Sequence, residues 1–489
     1  GSGAPIRTFK DVTILTAVTT PANVGYPVWE FKGNVTMPAL LTISNGSAVN
    51  ASSADFDLFG YPKGRVIINS GGTLTAPDST HAFKFYTLTV NAGGTFNHNN
   101  GTAELPYDEG QITGTGATNI TFWNLKILGA GSSRYLSINT TVLSQFNNSA
   151  SGIYAWLFSQ YTYSFGAGAS VINTGQIAAV GSNYNITFAG LSSAQPVVFT
   201  GNDIDWKNWL LVHDNKWILR NIDYRASLTT DNINDTIIFD GNITTQLINL
   251  AATDKINITS QTNMAVRGNS LTANGIFGMP NTDYNLFLYD NFTYIGGTFN
   301  APNATGIWNY TGSTYGELVG TGGTLVHNNG TLTYNKLTSY NDVYGTPLTF
   351  YNFVQAGNTG SVRFANNMTI ENNLSVGSST GIQPTGTIIT LGTATSAGRL
   401  INSGSVNFYT TNTIQGNSSA YPAICTGNDW NWDAGAGNVS VKNLDLQFDA
   451  TTGGTGVKLY FTGNMTIDNF VISAGDALNV TTAGIIINK

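Results

Sequence analysis

Charged side chains are scarce in this sequence. Its 489 residues include 20 Lys and Arg and 27 Asp and Glu, which is 10% of the chain and a formal net charge of −7. An ordinary soluble domain has about 25% charged residues. Uncharged groups must therefore hydrate the surface, and the chain has 57 Asn and 65 Thr for this purpose. This composition argues against a cytosolic enzyme, and the few scattered cations exclude a surface that neutralises nucleic acid.

Cysteine, glutamate and long apolar runs are also rare or absent. The single cysteine, Cys425, cannot form an intrachain disulfide. No window approaches the roughly 18 apolar residues of a membrane-spanning helix, and no export signal is visible. Only five of the 27 acidic residues are Glu, and abundant Thr, Val, Ile, Tyr and Asn favour strands and turns over helices. Because 41% of the residues are hydrophobic and 11% aromatic, the chain can bury a large core, and we predict an all-β fold.

A long internal repeat organises the chain. Six blocks recur in the same order at offsets between 222 and 229 residues, among them residues 98–102 with 327–331 and residues 200–203 with 426–429. Such a repeat decides the architecture of a β-rich chain. The small drift in the offset places insertions and deletions in loops.

One block, Gly-Asn-x-Thr, occurs three times and marks the phase of the repeat. It lies at residues 33–36, 241–244 and 463–466. We therefore predict an N-terminal leader strand at 1–32, a first module at 33–240, a second at 241–462 and the opening of a third at 463–489.

Inside a module, short apolar alternations recur about every 20 residues, the length of one coil of a β-solenoid. In such a coil each strand stacks on the coil below, and Gly, Asn and Asp turn the corners. A Greek-key sandwich also has regularly spaced strands, but it would need a linker between repeats this long, and no Pro/Ser-rich linker occurs near residue 241. We predict a right-handed β-solenoid, like a parallel β-helix, built from two tandem modules.

Two related segments combine carboxylates with tryptophan and are the nearest candidates for a binding site. They contain Asp203, Asp205 and Trp206 in the first module and Asp429, Trp430 and Asp433 in the second. Carboxylates two residues apart on a strand face the same way, as calcium ligation or glycosidic acid–base chemistry needs, and the indoles could stack on sugar rings. Packing of the aromatics in the core is the favoured interpretation. A shortage of nearby Arg and Lys argues against catalysis.

The histidines and the cysteine have structural interpretations. His98 and His327 lie in Asn-Gly turns, and only His81 and His213 remain to complete a metal site. Cys425 aligns with Phe199, so we expect a small core side chain and not a nucleophile. The sequence therefore predicts no catalytic residue, no metal ligands, no cofactor and no enzyme activity.

Asn-x-Ser/Thr sequons occur 21 times, against roughly 12 expected from composition, which favours a glycan-coated extracellular surface. Asn turns followed by Thr strands would also generate sequons by composition alone. The candidates that recur in phase or mark the modules are Asn34, Asn100, Asn139, Asn242, Asn257, Asn329, Asn367, Asn464 and Asn479.

The Gly-Gly-Thr-Leu, Phe-Trp-Asn-Leu and Gly-Asn-x-Thr blocks resemble those of repetitive β-solenoid surface proteins of bacteria and archaea, and of some viral fibre proteins. The resemblance spans most of residues 33–489 through structural motifs of low specificity. It implies a secreted, adhesive or structural protein without an active site. The low charge and the many sequons favour an archaeal surface or filament protein.

The sequence also suggests how copies of the chain would associate. The third module opens and stops, whereas residues 6–20 lie outside the repeat and alternate as a strand, with Val12, Ile14 and Leu15 among its apolar positions. We expect this leader to add to the sheet of a neighbouring copy, giving a head-to-tail cell-surface filament or layer. Surface glycans are further possible partners, whereas nucleic acid and membrane insertion are not expected. The alternative is a β-helix that binds or cleaves polysaccharide in a groove formed by residues 201–217 and 427–433.

Overall fold

The computed structural model describes most of the chain. The described residues are 6–14, 17–22, 28–58, 63–106, 108–116, 119–129, 133–149, 154–158, 160–180, 185–208, 216–230, 234–259, 262–280, 282–289, 292–294, 296–311, 318–335, 341–345, 347–356, 360–378, 380–408, 411–432, 438–453, 456–481 and 484–487. Every regular element in these ranges is a β-strand, and they contain no helix that could cross a membrane. The chain divides into two compact units, Gly1–Thr244 and Thr245–Lys489.

The strands up to the unit boundary are β1 (Arg7–Thr13), β2 (Val18–Thr19), β3 (Trp29–Thr36), β4 (Leu40–Ile43), β5 (Ala48–Asp57), β6 (Arg65–Ile68), β7 (Thr73–Thr75), β8 (Ala82–Lys84), β9 (Thr87–Val90), β10 (Thr95–Asn97), β11 (Thr102–Leu105), β12 (Gln111–Gly114), β13 (Asn119–Ile127), β14 (Arg134–Ser137), β15 (Asn139–Asn148), β16 (Tyr154–Phe158), β17 (Thr162–Phe165), β18 (Ser170–Asn173), β19 (Gln176–Val180), β20 (Asn185–Gly190), β21 (Val197–Gly201), β22 (Asp205–Asn208), β23 (Lys216–Thr229) and β24 (Thr236–Leu250), the last of which contains the boundary.

The strands that follow are β25 (Lys255–Ile258), β26 (Asn263–Ala273), β27 (Ile276–Pro280), β28 (Asn285–Leu288), β29 (Phe292–Tyr294), β30 (Thr298–Asn300), β31 (Trp308–Tyr310), β32 (Leu318–Gly320), β33 (Thr324–Val326), β34 (Thr331–Tyr334), β35 (Asn341–Gly345), β36 (Leu348–Gln355), β37 (Ser361–Phe364), β38 (Met368–Val376), β39 (Gly381–Pro384), β40 (Ile388–Thr393), β41 (Ser396–Ala397), β42 (Arg399–Asn402), β43 (Ser405–Val406), β44 (Asn412–Gly416), β45 (Ala423–Gly427), β46 (Asn438–Thr451), β47 (Lys458–Val471), β48 (Ala477–Val480) and β49 (Ile485–Ile487).

In the first unit each strand pairs in parallel with the equivalent strand of the next coil. Nine short strands, β2, β4, β6, β9, β12, β14, β16, β19 and β22, form one parallel sheet, which we call sheet B. The remaining strands of the unit build the other faces, as in the pairing of β1 with β3 and of β3 with β5. Side chains one coil apart meet in ladders; Asn91 Nδ2, for example, donates to Asn69 Oδ1 at 2.9 Å, 22 residues away in sequence. The chain therefore advances along the solenoid axis by one coil at a time.

Alternation along the strands determines what lies in the interior. On β13, Ile120, Phe122, Leu125 and Ile127 are buried, because successive side chains of a strand point to opposite faces. Equivalent positions on neighbouring coils place like side chains above one another. The rings of Phe31 and Phe56, for example, stack with centroids 5.4 Å apart. Burial of apolar side chains in these stacks is the main stabilising contribution.

The second unit repeats this construction. Its coils are parallel, as where Leu286, Trp308 and Leu332 lie in one register across β28, β31 and β34. The rings of Tyr310 and Tyr334 stack with centroids 4.6 Å apart. A short antiparallel pairing of β40 with β41 departs from the parallel pattern.

These pairings confirm the prediction of an all-β parallel solenoid with a repetitive coil. The right-handed sense of the coil and the module boundaries at residues 33, 241 and 463 stay predictions. The leader at 1–32 contributes β1, whose residues Arg7–Thr13 pair in parallel with Trp29–Thr36 of β3, with a register shift at Asp11. It is therefore continuous with the coil that follows it.

Candidate functional site

The first acidic candidate, Asp203, lies in the corner that joins β21 to β22. Gly201 turns the chain there with a φ of 99°, a conformation that glycine adopts without strain. One carboxylate oxygen of Asp203 accepts hydrogen bonds from the Ile204 backbone N–H at 2.8 Å and from the Tyr224 hydroxyl. The other accepts the Trp206 indole N–H at 3.2 Å and the Thr229 backbone N–H at 2.7 Å. Asp203 thus ties its corner to the following coil.

Asp429 has the same position in the second unit. Gly427 turns the corner with a φ of 103°. The Asp429 carboxylate accepts hydrogen bonds from the Trp430 backbone N–H at 2.6 Å, the Trp432 indole N–H at 2.9 Å and the Thr451 backbone N–H at 2.8 Å. The two corners agree donor by donor, except that among the described residues no tyrosine hydroxyl donates to Asp429.

Burial raises the pKa of both carboxylates. Removal from water raises the pKa of Asp203 to about 6, and the hydrogen bonds from Tyr224, Thr229 and Trp206 oppose this rise. Burial also raises the pKa of Asp429, against the hydrogen bonds from Thr451 and Trp432. Desolvation disfavours the charged form, whereas hydrogen-bond donors favour it. Both carboxylates therefore spend their hydrogen-bonding capacity on donors within the fold.

The tryptophans of these corners belong to the core. Trp206 and Trp430 are each only 2% exposed, so they present no open face on which a sugar ring could stack. This agrees with the interpretation that the aromatics pack between coils. Asp205 begins β22 and Asp203 precedes that strand, so the two do not share one strand face. Asp433 lies outside the described residues, and a glycan or calcium contact stays a prediction.

A second kind of corner occurs three times. The backbone N–H of Asn34 donates to Asp11 Oδ1 at 2.9 Å, and those of Asn242 and Asn464 donate at 3.0 Å to Asn221 Oδ1 and Asn443 Oδ1. The glycine before each donor has a φ between 65° and 69°. The Gly-Asn-x-Thr blocks thus form one repeated turn, in which a side-chain oxygen from the preceding coil accepts the backbone N–H of the Asn that follows the glycine.

The two turn histidines also occupy matching corners. His98 Nδ1 accepts the Asn100 backbone N–H at 3.0 Å, and His327 Nδ1 accepts that of Asn329 at 3.1 Å. His98 stacks on Trp123, and His327 on Tyr351. Burial lowers the pKa of His98. Within the described part of the chain, no three His, Cys, Asp or Glu side chains come together in a way that could hold a metal ion.

The single thiol is a core group. Cys425 is fully buried and lies in register between Leu400 of β42 and Leu446 of β46. Burial, with a smaller contribution from Asp445, raises the pKa of the thiol far above its usual range. The thiolate that nucleophilic chemistry requires is therefore disfavoured.

The glycosylation candidates differ in how open they are. Asn34, Asn100, Asn329, Asn367, Asn464 and Asn479 are exposed, whereas Asn139, Asn242 and Asn257 are half-buried. Asn242 Nδ2 and Asn464 Nδ2 also donate to Ser193 O and Ser419 O, both at 2.9 Å. Of the candidate leader residues, Val12 and Ile14 are half-buried, and Leu15 lies outside the described residues.

A cleft on the outer face of sheet B is a feature that the sequence analysis missed. It has a volume of about 770 Å³ and is lined by Ala17, Ala39, Leu40, Lys63, Arg65, Tyr86, Thr87, Thr89, Gln111 and Thr113. Lys63 Nζ donates to Tyr86 Oη at 3.0 Å, 23 residues along the chain, and to Glu109 Oε2 at 2.8 Å, 46 residues along it. Spacings of one and two coils between polar residues were the signal that could have revealed it.

Comparison with known proteins adds no relative: no family model, no curated protein and no solved structure matches this chain.

Proposed function

We propose that this chain is an extracellular, N-glycosylated structural protein whose copies associate through the edges of their solenoid coils into a cell-surface filament or layer. A repetitive parallel solenoid suits this role because an outermost coil presents a strand edge that another strand can extend. The resemblance to surface and filament proteins points the same way, and so does the Asn-rich composition with few charged residues.

One observation carries the proposal: an exposed apolar region on the last described coils. Val471, Val480, Ile486 and Ile487 are 47%, 51%, 58% and 55% exposed. On one side, β48 and β49 pair with β47, and on the other no strand among the described residues pairs with them. Exposed, hydrophobic strand edges are templates for pairing.

The proposed occupant of this edge is β1 of a second copy. β1 pairs with β3 through one edge, in two segments separated by a register shift at Asp11. β48 and β49 likewise extend the two segments of β47, with Gly484 at the bend. A copy of β1 could continue this two-segment ladder in parallel. A contact between two different surfaces does not close on itself and would build a filament.

The glycan part of the proposal rests on the exposed sequons. Asn100 and Asn329 lie at the tips of matching turns with a φ of 57°. A sugar attached there would extend into solvent without disturbing the coil.

We also propose that the chain acts without catalysis. Asp203 and Asp429, which the polysaccharide-cleaving alternative would use, accept hydrogen bonds from backbone N–H groups and indoles. These bonds support a structural role for the two carboxylates.

The proposal is tested by electron microscopy and sedimentation of the full chain. We expect filaments from the wild type and folded monomers from a variant carrying Val480→Lys and Ile486→Lys. Leu191→Lys, which changes a residue 61% exposed in a turn, is the matched control and should still form filaments. Deletion of residues 1–20 should also give monomers. Filaments that persist unchanged both in the Val480→Lys, Ile486→Lys variant and in the chain lacking residues 1–20 would contradict the proposal.

A further inference from the structure

We propose that the cleft on sheet B binds a linear polysaccharide that carries carboxylate groups. This inference goes beyond assembly, because the cleft lies on the outer face of a sheet and uses no strand edge.

The floor of the cleft follows from the coil geometry. Leu40, Arg65, Thr87 and Gln111 lie in one register across β4, β6, β9 and β12. Their inward neighbours Leu41, Val66, Leu88 and Ile112 are buried in the core, so this row faces outward. Adjacent coils are about 4.8 Å apart, so the floor offers side chains at a regular interval along the solenoid axis. A regular interval suits a polymer with a repeating unit.

One wall of the cleft is held in place by a polar cluster. Lys63 Nζ lies 4.4 Å from the centre of the Tyr86 ring, and the Tyr86 hydroxyl donates to Glu109 Oε2 at 3.2 Å. Hydrogen bonds to Glu109 and Tyr86 raise the pKa of Lys63 to about 12. Since Lys63 and Glu109 form an ion pair with each other, their charges largely cancel.

Arg65 is therefore the cation that the cleft offers to a ligand. Its side chain is exposed and has no hydrogen-bond or ion-pair partner among the described residues. A guanidinium binds a carboxylate through two parallel hydrogen bonds. Beside it, the Thr89 and Thr113 hydroxyls and the Gln111 amide are half-buried and can exchange hydrogen bonds with the hydroxyl groups of a sugar chain.

The volume and the lining select against other ligands. About 770 Å³ is within the roughly 300–1,000 Å³ of ligand sites, and seven of the ten described lining residues carry a polar side chain, more than in a typical apolar pocket. Among the described residues of the lining, Tyr86 is the one aromatic ring, and Lys63 lies over its face, which leaves little room for a base to stack on it.

The test is calorimetric titration of the full chain with oligogalacturonate, which carries a carboxylate on each sugar. Neutral dextran oligomers, polyglutamate and single-stranded DNA are the comparison ligands. We expect binding of oligogalacturonate that weakens with added salt, and no measurable binding of the other three. Arg65→Gln should weaken binding about tenfold, the equivalent of one charge-assisted hydrogen-bond pair.

Two further variants test whether binding requires the cleft or only an exposed positive charge. Thr89→Trp should fill the cleft and abolish binding, with an unchanged unfolding transition as the check on folding. Arg399→Gln removes another exposed arginine, on β42, and should leave binding unchanged. Equal loss in Arg399→Gln and Arg65→Gln, unchanged binding in Thr89→Trp, or preferential binding of polyglutamate or DNA would each overturn the inference.

Discussion

The carboxylate of Asp429 accepts a hydrogen bond from the indole nitrogen of Trp432 at 2.9 Å, three residues further along the chain. Asp203 and Trp206 have the same relationship at 3.2 Å. Each aspartate also accepts a backbone N–H from the following coil, at Thr451 or Thr229. An aspartate at this corner therefore fixes both a core tryptophan and the register of the next coil.

Removal of the Asp429 carboxylate should destabilise the second unit. Asp429→Ala leaves three donors without their acceptor, one of them the indole of a buried tryptophan. We expect the free energy of unfolding to fall by roughly 2–4 kcal/mol, measured by urea denaturation. Asp468→Ala, at an exposed position on β47, should change it by less than about 0.5 kcal/mol. Equal effects of the two substitutions would contradict the role given to this corner.

The raised pKa of Asp203 predicts a pH dependence. Burial lifts it from 3.8 to about 6 in the folded chain. Because the folded state then holds the proton more tightly, this group's contribution is fully present below about pH 4 and is lost as the pH rises through about 6. We expect the wild type to lose roughly 3 kcal/mol of unfolding free energy in this window, relative to Asp203→Asn. Denaturation curves at a series of pH values measure the difference.

Asp78 is a control, because its pKa shifts in the opposite direction from that of Asp203. Hydrogen bonds from Thr80 and His81 lower the pKa of its carboxyl to about 2. Its contribution is present above about pH 4 and is lost as the pH falls towards 2. Asp78→Asn should therefore differ from the wild type in its pH dependence only at acid pH. If Asp203→Asn also differs from the wild type in its pH dependence only in that acid range, the pKa of Asp203 is not raised.

The repeated glycine turn predicts a graded cost of adding a methyl group. At Gly463, with a φ of 68°, a Cβ would lie 2.1 Å from Asn443 Oδ1, whereas at Gly296, with a φ of 71°, it would meet nothing within 4 Å. Gly296→Ala should cost about 1 kcal/mol of unfolding free energy from backbone strain alone. Gly463→Ala should cost roughly 1–3 kcal/mol more because of the clash.

A double substitution separates the clash from the strain. Asn443→Gly removes the obstructing side chain and keeps a residue that tolerates the φ of 53° found there. In the Asn443→Gly background, Gly463→Ala should cost about as much as Gly296→Ala. If its cost is the same with and without Asn443, the capping contact does not matter.

The structure also predicts which sequons carry sugar. Asn100 and Asn329 are exposed in their turns, whereas Asn147 Oδ1 and Asn373 Oδ1 are buried and have no hydrogen-bond partner in the described part of the chain. In native material we expect glycan on peptides with Asn100 and Asn329, and none on those with Asn147 or Asn373. Thr102→Ala and Thr331→Ala should each remove one glycan mass. A native chain with the bare mass of 51.9 kDa would refute glycosylation.

Local chemistry made the fold class predictable. Period-two apolar alternation, few helix-forming residues and turn residues at coil spacing report on short stretches of chain, and each stretch has the conformation that its residues favour. Asn99, Asn100, Asn328 and Asn329 all have positive φ in the turns where the Asn-Asn-Gly-Thr blocks predicted corners. The offset between like blocks likewise predicted matching corners at His98 and His327.

The candidate site was predicted less well because its character depends on distant partners. In sequence, Asp203 is an acidic residue beside a tryptophan, and two interpretations stay open. Its hydrogen-bond donors Tyr224 and Thr229 are 21 and 26 residues away in sequence. These bonds form only when one coil stacks on the next. That stacking buries the indole and makes the carboxylate a structural group.

The sequence by itself determined that this protein is a repetitive β-solenoid with polar corners, because strand alternation and turn chemistry are encoded within about one coil. Only the tertiary structure decided which outward-facing rows form a cleft. Lys63, Tyr86 and Glu109 come from three different coils, and Arg65 shares its row with Leu40 and Thr87 from two others. The physical reason is register: a one-residue slip between coils would turn the strand residues Leu40, Arg65 and Thr87 to the other face of the sheet.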